Sequence, residues 1–150
     1  MSAEKSVEQL YEMRIGDLLA ELGNEINKSR TFRQSLTSPS FAPLFKDVQL
    51  FSPRNMLSRI QSVRLSRQVI SKFTPTLRKK ICADWDYCNK RNQYAGWKEL
   101  TTAVSPLIAT VTGLQGYALL IATVVVLKKG LNKLCKCPKT NTRKRRTKVR

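Results

Sequence analysis

The longest uncharged stretch of the sequence constrains the fold most. Residues 100–127 form a run of 28 residues without Asp, Glu, Lys or Arg, and Lys128 and Lys129 follow it directly. About 20 helical residues match a hydrocarbon core of about 30 Å, so the run predicts a membrane helix whose best-fitting span is 105–127. The alternative is a helix buried inside a protein core, although a chain of 150 residues has few other apolar segments to surround it.

Helix-breaking residues inside the run allow a second membrane geometry. Pro106 and the Gly-Leu-Gln-Gly segment at 113–116 could divide it into two arms that enter one leaflet and return. Arms of about 11 to 13 helical residues would reach only about 17 to 20 Å, which is too short to cross. The sequence therefore predicts a mainly α protein with a small helical N-terminal domain, one hydrophobic membrane helix or re-entrant hairpin, and a disordered basic tail.

The formal charge of +18 is distributed unevenly along the chain. Residues 1–27 sum to −4, residues 28–98 sum to +12, Glu99 subtracts one, and the tail after the uncharged run holds 11 basic residues and no acid. Such an excess predicts anionic partners, which means phosphates on nucleic acid or on anionic lipid. The chain divides into an acidic amphipathic helix (1–27), a connecting segment rich in Pro, Ser and Phe (28–52), a basic helical region (53–98), a membrane-inserted segment (100–127) and a basic tail (128–150).

The N-terminal zone has a clear helical pattern. Apolar residues recur at three- and four-residue steps over 7–26, and Ser6 with Gln9 fits a capping box in front of them. This pattern predicts one amphipathic helix. Its apolar face packs either on the rest of the domain or on a second copy or partner.

Two proline-containing signals predict further helices. Ser52-Pro53 and Thr74-Pro75 each place a capping residue before a proline, which predicts helices over about 53–73 and 75–90. The second helix would carry several cations near its positively polarised start, and a bound anion would relieve that repulsion.

The basic residues give two candidate anion-binding sets. The tail set is Arg143, Lys144, Arg145 and Arg146, and the helical set is Arg64, Arg67, Lys79 and Lys80. Each cation at an anionic bilayer surface gains about 1 kcal/mol. The basic helical region (53–98) also contains Trp85, Tyr87, Tyr94 and Trp97. Aromatic rings beside basic residues are typical of proteins that bind single-stranded nucleic acid. The alternatives are that these rings pack in the core and that Trp97 lies at a membrane interface.

Candidate modification sites are few. Cys135 and Cys137 follow the uncharged run closely and are candidates for S-acylation, with inert reduced thiols as the alternative. Cys82 and Cys88 complete the four cysteines, and the spacing of the four does not fit a zinc site. Because no signal peptide is visible, we do not expect a heavily disulfide-bonded secreted fold. Asn27 begins the one glycosylation sequon.

No feature of the sequence predicts catalysis. The chain has no His and no Gly-rich phosphate loop, so we expect a non-enzyme without cofactor or metal. The expected function is a membrane-anchored basic adaptor or structural protein, of a virus or an organelle nucleoid, that holds nucleic acid or anionic lipid at a bilayer. A membrane-shaping or permeabilising protein and a soluble nucleic-acid-binding protein are the alternatives.

The flanking charges predict an orientation. Nine Lys and Arg lie within 20 residues after the run and three lie within about 17 before it, which favours a cytoplasmic tail on a single-pass or monotopic protein. Self-association is expected through the N-terminal helix or the Gly113 and Gly116 face.

Overall fold

The computed structural model describes residues 4–35, 51–52 and 57–138, and 81% of these residues are helical with no strand among them. The mainly α prediction is therefore confirmed. The α-helices of the described residues are α1 (Val7–Glu12), α2 (Ile15–Lys28), α3 (Arg30–Ser35), α4 (Arg59–Arg78), α5 (Tyr87–Lys90), α6 (Trp97–Thr112), α7 (Gly116–Lys129) and α8 (Leu131–Cys135). A π-helical stretch, Lys79–Asp84, continues α4, and a 3-10 turn, Arg91–Gln93, follows α5.

The N-terminal zone forms two helices rather than the single helix predicted over 7–26. The predicted capping box is confirmed, because the Gln9 amide donates to Ser6 Oγ and the Ser6 amide donates to Gln9 Oε1. The chain then becomes extended at Met13, so the last carbonyls of α1 lose their helical partners. Lys128 Nζ donates to the carbonyl oxygens of Tyr11, at 2.8 Å, and Met13. A cation supplied from α7 therefore stabilises this break.

Helix α4 overturns the helix start predicted at Thr74-Pro75. It begins after a capping box formed by Ser58 and Gln61 and continues through Pro75. Thr74 Oγ1 donates to the Ile70 carbonyl at 2.7 Å, four residues back, instead of capping a new helix. Arg78 consequently lies inside a helix that continues into the π-helical stretch, and the predicted repulsion at a helix start does not arise. The other predicted start includes Pro53, which lies outside the described residues.

Helices α2 and α4 make a very close contact at Gly23. A Cβ atom built on Gly23 would lie 2.1 Å from the carbonyl oxygen of Ser62. One turn further along α4, Ser66 Oγ donates to the Leu19 carbonyl at 2.5 Å. Only a residue without a side chain fits at position 23, so Gly23 sets the separation of the two helices.

The Ser62 hydroxyl gives a stability prediction. It is fully buried, and among the described residues it has no hydrogen-bond partner. We expect Ser62→Ala to raise the free energy of unfolding by about 1 kcal/mol, because the substitution removes a buried polar group that is not hydrogen-bonded. Urea unfolding measures the change. Ser66→Ala is the matched control and should lower stability by about 1 kcal/mol, since it removes the bond to Leu19. A loss of stability in Ser62→Ala would contradict the prediction.

Helix α7 is the centre of the core. Ile121, Val124 and Val125 are fully buried, and the surrounding surface comes from α1, α2 and α6. Tyr117, at the start of α7, donates its hydroxyl to Glu21 at 2.7 Å and accepts from the Lys5 amide at 3.1 Å. The chain's own helices thus cover the apolar run, which was the alternative to a membrane helix.

The uncharged run is divided between two helices, so the single span predicted over 105–127 is not formed. Helices α6 and α7 are bent by 111° at the break between them. Gly113 has φ of 74° and Gly116 has φ of 61°, and the predicted break at 113–116 is therefore present, whereas Pro106 lies inside α6 without ending it. Among the described helices, none alone is both long and apolar enough to cross a membrane; α6 and α7 meet that requirement only as a bent pair.

Two disulfide bonds close the C-terminal part of the described chain. Cys82 is bonded to Cys135, and Cys88 is bonded to Cys137. The bonds attach α8 and the residue pair after it to the π-helical stretch and α5, and they leave no free cysteine in the chain.

Candidate anion-binding groove

The exposed side of α4 carries a long groove, which we call the α4 groove. It consists of three adjoining depressions of about 540, 410 and 300 Å³, of which the first two share Arg67 and the last two share Ile70, Thr74 and Lys129. The residues lining these depressions include no Asp or Glu within the described ranges. Their cations are Arg59, Arg64, Arg67, Arg78, Lys129 and Lys133.

Helical spacing explains the row of arginines. Arg64, Arg67 and Arg78 are three and eleven residues apart, so they project from one side of α4. Arg64 and Arg67 are exposed, and Arg78 Nε donates to the Leu134 carbonyl at 3.2 Å, which orients its guanidinium. The structure therefore brings together two residues of the predicted helical set. Lys79 and Lys80 lie beyond α4, and neither lines the groove.

The floor of the α4 groove is apolar. Ile60 is 71% exposed, which is the highest value among the exposed large hydrophobic residues described. Val63 lines the same depression as Ile60, Ile70 lines the other two, and both are half-buried. The arrangement places aliphatic side chains between guanidinium groups, as in helices that lie at a membrane surface.

The acidic side chains mostly pair away from this groove. Asp17 accepts from Arg59 at 2.7 Å at one end, while Glu21 pairs with Lys5 at 3.0 Å. Glu8 pairs with Lys98 at 3.0 Å, and its pKa is lowered first by a backbone hydrogen bond and then by Lys98. Exposed pairs of this kind contribute little stability. Their importance is that they leave the middle of the groove strongly positive.

The aromatic residues form contacts with one another. The ring centroid of Trp85 lies 5.6 Å from that of Tyr94 and 6.1 Å from that of Tyr87, with Lys90 Nζ 5.8 Å above Trp85. Trp97 packs on Tyr11 with 4.1 Å between the centroids. These rings lie in two separate clusters, and none of them lines the α4 groove, so the structure does not join them to the arginine row.

Asn27 has a structural role that the sequon pattern did not indicate. It is fully buried, its Nδ2 donates to the Ser52 carbonyl at 3.1 Å, and its Oδ1 accepts from the Phe51 amide at 2.9 Å and from Arg33 at 3.1 Å. Its Nδ2 is thus already engaged inside the protein. Asn27 therefore holds the 51–52 segment against α2 in this fold, and glycosylation at Asn27 stays a prediction.

The predicted tail sites have different outcomes. The sulfurs of Cys135 and Cys137 are both in disulfide bonds, and S-acylation requires a free thiol, so this structure offers no acylation site at either residue. The four tail cations at 143–146 lie outside the described residues. The disulfides could not be inferred from spacing alone, because four cysteines allow three pairings.

The chemistry of the α4 groove suits phosphate. A guanidinium group presents a planar fork of donors that matches phosphate oxygens, and several such groups on one face give a multivalent surface.

Comparison with models of protein families, with curated proteins and with solved structures finds no match to this chain.

Proposed function

We propose that the protein is a membrane-associated basic structural protein that binds the anionic surface of a bilayer through the α4 groove. The observation that carries the proposal is the groove's combination of six cations with an exposed apolar floor. Guanidinium and ammonium groups would bind lipid phosphates, while Ile60 would enter the boundary between headgroups and acyl chains. The protein would act by holding its partner at the membrane and not by catalysis.

The apolar floor favours lipid over nucleic acid as the anionic partner. An aliphatic side chain such as Ile60 gains from contact with acyl chains, whereas a nucleic-acid backbone offers it only charged and hydrated groups. Stacking on nucleic-acid bases would need rings beside the cations, and Trp85 and Trp97 pack instead on Tyr94 and Tyr11. Binding of nucleic acid through the tail cations remains the second candidate, because Arg143, Lys144, Arg145 and Arg146 form the densest basic cluster of the sequence.

A triple substitution tests the groove. We expect Arg64→Gln, Arg67→Gln and Arg78→Gln together to weaken binding to vesicles containing phosphatidylserine by about 100-fold, since three contacts of about 1 kcal/mol are lost. Sedimentation with vesicles at low salt measures the affinity, and vesicles of phosphatidylcholine alone should bind neither protein.

The matched control removes the same charge elsewhere. Lys79→Gln, Lys80→Gln and Lys98→Gln together also lower the net charge by three, but none of these residues lines the groove. The affinity of this variant for phosphatidylserine vesicles should lie within about threefold of that of the unmodified protein, because only long-range attraction is lost. Equal weakening by both triple variants would mean that net charge alone acts, and the groove would lose its role.

A nucleic-acid binding experiment distinguishes lipid binding from nucleic-acid binding. Affinity for duplex DNA is measured against salt for the unmodified protein and for a chain lacking residues 139–150. Tighter binding to DNA than to anionic vesicles, lost with the deletion and steep in salt, would replace the lipid proposal by the tethering of nucleic acid. Leakage of vesicle contents would instead favour the permeabilising alternative.

A further inference from the structure

We infer that the end of the α4 groove beside α8 binds one anionic lipid, with the lipid phosphate on Arg78 and Lys129 and part of one acyl chain between α4, α7 and α8. This inference rests on the proposed binding of anionic lipid, because it uses cations of the same groove. It adds that the groove holds an individual lipid by its phosphate and its chain, and not only a charged surface.

Two adjoining depressions at this end of the groove differ in polarity. The depression of about 410 Å³, which we call the polar compartment, is lined by Arg67, Ser71, Arg78 and Lys129. The depression of about 300 Å³, which we call the apolar compartment, is lined by Leu77, Val126 and Leu134. Both compartments share Ile70, Thr74 and Lys129. A cationic space joined to an apolar one matches a molecule with an anionic head and a hydrocarbon chain.

Two neighbouring stripes of α4 form the floors of the compartments. The polar stripe is Arg67, Ser71 and Arg78, and the apolar stripe is Ile70, Thr74 and Leu77, each at helical spacing. Both stripes are continuous because α4 continues through Pro75. Thr74 donates its proton to the Ile70 carbonyl at 2.7 Å, so the donors left for a phosphate are the Ser71 hydroxyl and the cations.

Helix α8 is fixed in place as a wall of the apolar compartment. Arg78 Nε donates to the Leu134 carbonyl at 3.2 Å, and a disulfide bonds the next residue, Cys135, to Cys82. Gly130, between α7 and α8, has φ of 99°, a conformation that favours glycine. A wall that is held before the ligand arrives lowers the ordering cost of binding. The bond from Arg78 uses Nε, and the two terminal nitrogens of its guanidinium can bind a phosphate.

The apolar compartment suits part of one acyl chain. Leu77 and Val126 are 4% and 9% exposed, and Ile70 and Leu134 are half-buried. Each methylene group that leaves water for such a surface raises the affinity about fourfold. The volume of about 300 Å³ is at the lower limit for ligand pockets, so a second acyl chain would stay in the bilayer.

Charge favours a lipid over another segment of the chain as the occupant. The residues that line the two compartments include no Asp or Glu within the described ranges. Residues 36–50 sum to zero, because Lys46 and Asp47 cancel, and residues 139–150 hold seven basic residues and no acid. Neither segment supplies net negative charge. A lipid phosphate supplies that charge together with hydrocarbon.

Binding of monomeric lysophosphatidic acid tests the site, measured by calorimetric titration below the concentration at which micelles form. We expect one molecule per chain. Glycerol 3-phosphate has the same head without the chain, and it should bind at least about 100-fold more weakly, which is the effect of about four methylene groups. Lysophosphatidylcholine has the chain with a neutral head, and it should bind about tenfold more weakly.

Two pairs of variants locate the chain and the phosphate. Leu134 and Leu120 are both half-buried, but Leu120 lies outside the groove. We expect Leu134→Asn to weaken lysophosphatidic acid about tenfold and to leave glycerol 3-phosphate unchanged, because only apolar contact is lost. Leu120→Asn should change neither affinity. Circular dichroism checks that both variants are folded.

Lysine substitutions on the exposed surface keep the test valid if the leucine variants unfold. Lys129 and Lys136 are both exposed, and of the two only Lys129 lines the compartments. Lys129→Gln should weaken lysophosphatidic acid and glycerol 3-phosphate alike, about fivefold, since both carry the phosphate. Lys136→Gln should leave both affinities unchanged.

The outcomes distinguish this site from the proposed function. If glycerol 3-phosphate binds as tightly as lysophosphatidic acid, or if Leu134→Asn and Leu120→Asn act equally, the acyl-chain site is wrong, and a preference for phosphatidylserine vesicles would still support the proposed function. If lysophosphatidic acid binds one per chain but phosphatidylserine vesicles are not preferred over phosphatidylcholine vesicles, the proposed function is wrong and the lipid site stands. Equal binding of laurate, which carries a carboxylate, would overturn the assignment of phosphate as the head.

Discussion

Replacing Gly23 with alanine is expected to lower the free energy of unfolding by about 3 kcal/mol or more. The new methyl group would meet the backbone of Ser62, whose carbonyl oxygen would lie 2.1 Å away and whose Cα would lie 2.6 Å away. Backbone atoms cannot move aside as the end of a flexible side chain can, so α2 and α4 must separate and loosen the core between them. Urea unfolding followed by circular dichroism measures the change.

Gly96→Ala is the control for the Gly23 substitution. A Cβ atom at Gly96 would meet nothing within 4 Å, and its φ of −167° is open to any residue. Because alanine caps α6 less well than glycine, we expect a loss of no more than about 1 kcal/mol. If both alanine variants were destabilised equally, the close approach of α2 and α4 at Gly23 would not be the cause.

Loss of both disulfides is expected to lower the free energy of unfolding much more than loss of either one. Cys82 and Cys135 are separated by 53 positions, and one bond that closes a loop of that length contributes about 4 kcal/mol by restricting the unfolded chain. Either bond closes only a short additional loop when the other is present, so each removal alone should cost less. Urea unfolding of Cys82→Ser/Cys135→Ser, of Cys88→Ser/Cys137→Ser and of the fourfold variant measures these contributions.

Alkylation of the unfolded chain checks the premise of that prediction. Protein purified without reductant should take up no iodoacetamide until a reductant is added, and four groups afterwards. Uptake before reduction would show that the thiols are free in the native chain. It would also favour a tail in the cytosol, where disulfides rarely persist, whereas closed bonds would favour an oxidising compartment for residues 82–137.

The features that the sequence predicted correctly depend on neighbouring residues. The capping box of Ser6 and Gln9 and the break at 113–116 involve residues within four positions of each other, and both occur as expected. The helical content follows for the same reason, because periodic apolar spacing is local information. The prediction failed where distant residues decide. The break between α1 and α2 is stabilised by Lys128, more than 110 residues along the chain.

The candidate site shows the same limit. Arg64 and Arg67 were identified from their position on one helix, and they do lie side by side in the α4 groove. Arg78 is not in the predicted helical set, and Thr74-Pro75 predicts that a new helix begins before it. The Ile70 carbonyl binds the Thr74 hydroxyl and α4 continues, which places Arg78 on the face of Arg67. The contribution of Lys129 and Lys133 required the packing of α7 and α8 beside α4, which no local pattern encodes.

The position of α7 in the chain has a consequence for synthesis. Helices α1, α2 and α4 leave the ribosome well before residues 116–129, yet their apolar faces pack on or around that helix. Until it emerges, the growing chain exposes those faces, and contacts such as that between Lys5 and Tyr117 span more than 100 residues. Apolar surface that is exposed in this way makes a partly synthesised chain prone to aggregation. The nascent protein should therefore depend on chaperones until residues 116–129 have emerged.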